Sequence, residues 1–379
     1  MERENYMDSF RVSAEIDFSN LRHNLSVIRH RAPGSRVMAM VKGNAYGHGM
    51  VTVAKHLRDV DYFGVVGIEA GIALRHSGVI QPIVLMNGFQ SQKELDLLLE
   101  YRLDTVVFDF LQIKQIAQIS QSPENFYLNT WIKIDTGMHR LGFQSTEVPK
   151  AYESLKACSQ VKDIFFMTHF ANADQEDSPR NNLKVDLSVN QQFLRFLKLT
   201  EAYPNHLKSA ANSGALIQYP ESYLDIIRPG IMLYGVSPCS NQSAKALGLK
   251  PVMTLKSKII SLHRLEVGER VGYGSTWRAL RQTRLAVVSI GYGDGYPQLA
   301  SEGTPVLIRG ERAWLAGRVS MDSITVDVTD IEEVALGDEV VLWGEGLPIE
   351  EVAAAMEASP YGLLTGVTAR VAMELKEIA

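Results

Sequence analysis

Eight short, continuously apolar runs, most of them followed by a stretch of helical periodicity, fill about 200 residues of this chain. The runs fall at 36–41, 63–66, 83–86, 105–108, 130–134, 164–168, 206–210 and 224–227. Helical spacing follows near 51–58, 69–76, 93–100, 111–119, 148–157 and 193–199, and again after Ser213. A strand that is apolar throughout, not only at alternate residues, is buried on both faces, as in a parallel sheet covered by helices. Eight such units predict an α/β chain built as a (β/α)8 TIM-type barrel. A doubly wound open sheet has the same alternation, and periodicity does not separate the two.

Beyond Pro238 the texture changes. The segment 239–251 reads as a linker, and the runs 253–260, 284–290, 305–309, 313–315, 324–328 and 339–343 are short, β-rich and separated by Gly-containing turns. One helix is expected near 349–356. The expected organisation is a barrel over 10–240 and a mostly antiparallel β domain over 241–379, with the opening run 11–16 joining the second domain.

Composition narrows the functional classes. At 46% hydrophobic and 21% charged residues, the chain is neither disordered, collagen-like nor a coiled coil. A net charge of -5 argues against a nucleic-acid or anionic-membrane binder, so neither partner is expected. Cys158 and Cys239 match no metal-ligand spacing, and no metal is expected. The opening residues carry no secretory signal and no apolar run is long enough to span a bilayer, so the expected location is cytoplasmic.

The polar exceptions fall where barrel strands end. Lys42 follows MAMV and precedes GNAYGHG. Lys133, Asp135, His139 and Arg140 lie at or beyond the fifth run; His169 and Asn172 follow the sixth. Asn212, Ser213 and Gly214 follow the seventh, and Arg228 and Gly230 the eighth. A strand-end lysine is ordinarily a snorkelling surface residue, and a lone His or Arg is ordinarily structural. Five segments converging on one barrel face read instead as an active site. Gly/Ser turns after the last two strands suit a phosphate. A phosphate site beside a strand-end lysine points to pyridoxal phosphate held as a Schiff base.

The segment VMAMVKGNAYGHG strongly resembles the cofactor-attachment motif of alanine racemases. WIKIDTGMHRLGF, THFANAD, AANSGA, IRPGIMLYG, VGYGSTW, SIGYGDGYP and GRVSMDSITVDVT match further motifs of that family, in family order, across nearly the whole chain. The resemblance implies a pyridoxal-phosphate-dependent enzyme that interconverts L- and D-alanine in a homodimer with shared active sites and supplies D-alanine for peptidoglycan. It assigns Lys42 as the Schiff-base lysine and one acid/base group, and Tyr273 as the opposing base, given by the partner subunit. Arg228 would face the pyridine nitrogen, and Tyr46, Ser213, Gly230 and Ile231 the phosphate. His169 would lie near Arg228 and the catalytic tyrosine. Arg140 would hold the substrate carboxylate, oriented by Lys133, a position carbamylated in many members. Tyr292, Met321 and Asp322 would line the substrate site.

Two bases suit the chemistry, because racemisation removes a proton from one face of Cα and returns it to the other. An arginine at the pyridine nitrogen keeps its own proton, which weakens the electron sink and favours racemisation over transamination. The chain departs from the family at Gln298, commonly arginine, at Ala372, where many members carry proline, and at Ala369, where some carry tyrosine. These positions bear on substrate access and on strictness for alanine. The alternatives are a racemase of serine or of broader specificity, a barrel decarboxylase, and a non-catalytic pyridoxal-phosphate carrier. Arg228 argues against the decarboxylase, and the C-terminal motifs argue against the carrier.

Overall fold

The computed structural model describes residues 11–119, 127–175, 188–300 and 302–376. The opening segment 1–10, part of the stretch read as lacking a secretory signal, lies outside the described residues, as do the outermost limits of the two expected domains.

The chain starts in one sheet and passes immediately to another. β1 (Val12–Asp17) ends in Asp17, whose carboxylate accepts the amides of Ser19 and Asn20 at 2.9 and 3.1 Å and so caps the helix Phe18–Arg31. Eight strands then follow: β2 (Arg36–Met40), β3 (Tyr62–Val65), β4 (Ile83–Leu85), β5 (Asp104–Val107), β6 (Leu128–Lys133), β7 (Val161–Met167), β8 (Lys208–Ser209) and β9 (Ile226–Ile227). Each pairs in parallel with its sequence neighbour from β2 to β8, and β9 returns to β2 through Arg36↔Ile226 and Val37↔Ile227. A parallel bridge between Asn212 and Arg228 nearly closes the ring. The (β/α)8 barrel is thus present, and an open doubly wound sheet is excluded. Its N-terminal end is plugged by Tyr62, Trp131 and Phe165, with ring centroids 5.7 and 4.6 Å apart along the series.

The second sheet holds β1 and β10 (Met253–Leu265), β13 (Thr283–Val288), β14 (Pro305–Ile308), β15 (Glu311–Leu315), β16 (Ile324–Asp327), β17 (Glu339–Trp343) and β18 (Ala372–Lys376). The short strands β11 (Arg270–Val271) and β12 (Trp277–Arg278) pair separately. The long strand β10 pairs with β1 and β17 early and with β13 late, the register shifting between Ile259 and Ser261. That irregularity bends the sheet until β13 closes it. Pairing is antiparallel except between β1 and β18.

Two C-terminal elements were not expected. A second helix, Pro360–Gly366, follows Ile349–Ala355, and β18 lies beside β1. The helix is a single seven-residue stretch opened by proline and closed by glycine, too short to register a period. No helix among the described residues is long and apolar enough to cross a membrane. Among the described residues no group of three or more His, Cys, Asp and Glu side chains could hold a metal ion.

Candidate active site

At the C-terminal mouth of the barrel lies a cavity of about 460 Å³. Lys42, Tyr46, Lys133, Arg140, His169, Ser213, Arg228, Gly230 and Ile231 all line it. Tyr273, Tyr292, Met321 and Asp322 do not. Tyr273 is 71% exposed, Met321 52% and Tyr292 37%, so this chain presents them outward. Asp135 and His139 also lie off the cavity wall, paired with each other at 3.1 Å.

Each lining residue is set by local chemistry. Immediately after β2 the backbone makes one turn of left-handed helix: Gly43, Asn44, Ala45 and Tyr46 have φ of 60, 53, 55 and 51°, followed by Gly47 at 83°. Ala45 N–H donates to Val41 O at 2.8 Å and Gly47 N–H to Gly43 O at 2.9 Å, so the turn has helical bonding of the wrong hand. For Ala45 and Tyr46 this costs roughly 1–2 kcal/mol each. The turn brings Lys42 and Tyr46 to the same cavity. The helix Pro360–Gly366 packs over it, and a Cβ at Gly47 would meet the Leu364 carbonyl oxygen at 2.1 Å. After β6, the Asp135 carboxylate accepts the amides of Gly137 and His139, both at 3.0 Å, and folds the loop that presents Arg140.

Arg228 is buried at the start of the segment after β9. Its guanidinium donates to Ser209 Oγ at 2.5 Å, Thr168 O at 2.5 Å, Ala210 O at 3.1 Å and His169 Nδ1 at 3.4 Å. Burial lowers its pKa to about 10, so it remains a cation at neutral pH. Lys42 is lowered by burial and then by Arg140 and Arg228. Lys133 falls to about 8 through burial, Arg140, Arg228 and Lys42. His169 is held well below its usual range by burial and the same cations, Arg228 foremost, so its ring is neutral. Burial pushes Tyr46 up to about 12.

The cavity therefore concentrates positive charge. Among the described residues, Lys42, Lys133, Arg140 and Arg228 form no ion pair. Such a site favours an anionic occupant. At one end Gly230 N–H donates to Ser213 Oγ at 2.8 Å. A Cβ at Gly230 would come within 2.4 Å of the Tyr46 hydroxyl, so a small cradle is kept clear of side chain there. A backbone-and-hydroxyl cradle with a lysine and a proton-retaining arginine in the same cavity is the donor set that pyridoxal phosphate needs, and the residues present fit that cofactor.

The sequence reading missed Tyr361, which reaches this cavity from the second domain; its ring centroid is 6.0 Å from that of Tyr46. It lies in the unexpected helix Pro360–Gly366, and PYG carried no signal beyond a turn.

Fold and site together define a barrel protein with a lysine-bearing, anion-binding centre, joined to a closed β domain. Comparison with known proteins makes the class specific. Residues 16–238 match the alanine racemase N-terminal domain and residues 252–375 its C-terminal domain. The alanine racemase of Pectobacterium carotovorum is 44% identical over 363 residues, covering 96% of this chain and 98% of that protein. That of Vibrio vulnificus is 43% identical over 378 residues, covering 98% and 97%. The crystal structure of the biosynthetic alanine racemase from Pseudomonas aeruginosa superposes with a TM-score of 0.91 at 40% identity, covering 97% of this chain and 100% of that one. The Bartonella henselae alanine racemase, solved with covalently bound pyridoxal phosphate, gives 0.85 at 28% identity, covering 97% and 100%. This chain belongs to the alanine racemase family.

Proposed function

We propose that this protein interconverts L- and D-alanine with pyridoxal phosphate by a two-base mechanism, in a homodimer whose active sites are shared. The observation that carries the reading is the cation-lined cavity in which Lys42 and Arg228 meet the Ser213–Gly230 cradle. Lys42 would anchor the cofactor, with Tyr46, Ser213, Gly230 and Ile231 at its phosphate. When bound, the cofactor supplies an electron-withdrawing ring that acidifies the substrate Cα–H.

The residues of the chain do the rest. Arg140 holds the substrate carboxylate and so fixes which face of Cα meets Lys42. The lowered pKa of Lys42 leaves its amine able to take a proton and return it. Arg228 retains its own proton and gives none to a ring nitrogen facing it. His169, neutral, accepts from Arg228 and adds no charge. The opposing base is Tyr273 of a second copy: in its own chain this tyrosine is outside the cavity and exposed, as a residue serving another subunit would be. Tyr292, Met321 and Asp322 would reach the same shared site. Residues 10–240 and 241–379 act as two units, barrel and β domain, and the protein works in the cytoplasm, supplying D-alanine for peptidoglycan.

The test is a panel of L-amino acids assayed for D-product with the purified holoprotein. D-alanine should form fastest by a wide margin. Equal turnover of L-serine, or no D-product from any amino acid, would overturn the reading in favour of a broader racemase or a carrier.

A further inference from the structure

His48 takes no part in the chemistry derived above, yet it is buried in the turn that follows Lys42. Its Nδ1 lies 3.0 Å from the Ala45 carbonyl oxygen and 2.8 Å from that of Tyr46. Both neighbours are acceptors, so Nδ1 carries the proton and donates to both. Its ring stacks on Tyr234 at 4.5 Å between centroids, and the Tyr234 hydroxyl donates to Met40 O at 2.9 Å, at the end of β2. His48 thus ties the two residues with the unfavourable backbone, Ala45 and Tyr46, to the strand that delivers Lys42.

We propose that His48 is a positioning residue: by bridging the carbonyls of Ala45 and Tyr46 it locks the left-handed turn that holds Lys42 and Tyr46 at the cavity. Without that bridge the turn has every incentive to revert, because a right-handed or extended path relieves Ala45 and Tyr46. Burial holds the imidazole near pKa 4, so it is neutral across the physiological range and the lock does not titrate there. The inference rests on the reading that Lys42 anchors the cofactor, but its structural half can be measured without the cofactor.

The experiment compares full-length wild type with His48→Phe and His48→Asn. Phenylalanine keeps the ring stacked on Tyr234 and removes the donor. Asparagine places an amide N–H close to where Nδ1 sits. Amide hydrogen exchange over 43–49 is followed with and without pyridoxal phosphate, together with cofactor affinity and the separate kcat and KM for alanine. H48F should exchange faster at Ala45 and Gly47, bind cofactor about tenfold more weakly, and lose kcat at saturating cofactor with KM for alanine nearly unchanged. H48N should recover most of this. Unchanged exchange and cofactor affinity in H48F would overturn the proposal. If H48F does not fold, the double variant H48F/A45G decides, since glycine adopts the left-handed conformation freely. Restored folding and cofactor binding support the lock, and no restoration overturns it. Faster exchange in H48F, in a protein whose wild type takes cofactor at some other lysine, would sink the Lys42 reading and leave the lock standing.

Discussion

Arg228 donates to His169 across 3.4 Å at the barrel mouth, and among the described residues neither side chain is bonded to a carboxylate. The histidine is therefore an acceptor, held neutral by burial and by the cation that faces it. Arg228, with a pKa of about 10, is far more basic than this histidine, so the proton they share stays on the arginine.

This makes the identity of residue 228 a control on reaction type. Arg228→Glu should lower racemisation and raise transamination relative to it, because a carboxyl group there could share a proton with the ring nitrogen and strengthen the electron sink. The ratio of pyruvate formed to D-alanine formed reads this directly. Arg228→Gln, which removes the charge without adding an acid, should lower racemisation with a smaller rise in that ratio.

Lys133 is buried among cations, and its amine is free in a growing fraction of molecules as pH rises through about 8. A carbamate forms from the free amine and carbon dioxide, and its negative charge would meet Arg140. Labelled bicarbonate should therefore enter at Lys133, more at pH 8.5 than at pH 6.5. Lys133→Ala should abolish that label and raise KM for alanine by weakening the hold on Arg140. Labelling indifferent to pH, or persisting in the variant, would contradict this.

Asp104 opens β5 at the plugged end of the barrel, and burial raises its pKa from 3.8 to about 7. Its Oδ1 accepts from Asn129 at 3.1 Å, while Oδ2 has no partner among the described residues. The folded-state pKa lies above the unfolded one, so the folded protein holds the extra proton. The associated stability is complete below pH 3.8 and is lost as pH rises through about 7. Asp104→Asn removes that dependence. Denaturant unfolding should show the variant gaining on wild type as pH rises from 4 to 8, by about 4 kcal/mol at most. A difference that stays constant with pH would show that Asp104 is not held neutral.

Much of this was legible in the sequence. The barrel strands fall within a few residues of the apolar runs, because strands buried on both faces must be apolar throughout and the turns between them are marked by Gly, Pro and Asn. Of the nine cavity residues, Lys42, Lys133, Arg140, His169, Ser213, Arg228 and Gly230 could be named because they stand at or just beyond strand ends, whereas Tyr46 and Ile231 were assigned by the family resemblance. What the sequence did not show depends on backbone geometry or long-range contact. The left-handed turn is invisible to propensity, since Ala45 and Tyr46 disfavour it and only Gly43, Asn44 and Gly47 hint at it. Tyr361 reaches the cavity because a short C-terminal helix packs over that turn. Tyr273 was identified by family resemblance alone; its side chain is exposed, and its service to a second copy is the proposed part of the site.

The sharing of Lys42 and Tyr273 between two subunits can be tested by subunit mixing. Lys42→Ala and Tyr273→Phe should each be nearly inactive. Unfolded and refolded together in equal amounts, they form mixed dimers in which one site receives an intact Lys42 from one chain and an intact Tyr273 from the other. Random assortment then predicts recovery of about a quarter of wild-type racemase activity. If the mixture stays as inactive as its components while mixed dimers are present, the two bases belong to the same chain or Tyr273 is not a base, and the shared two-base site is wrong.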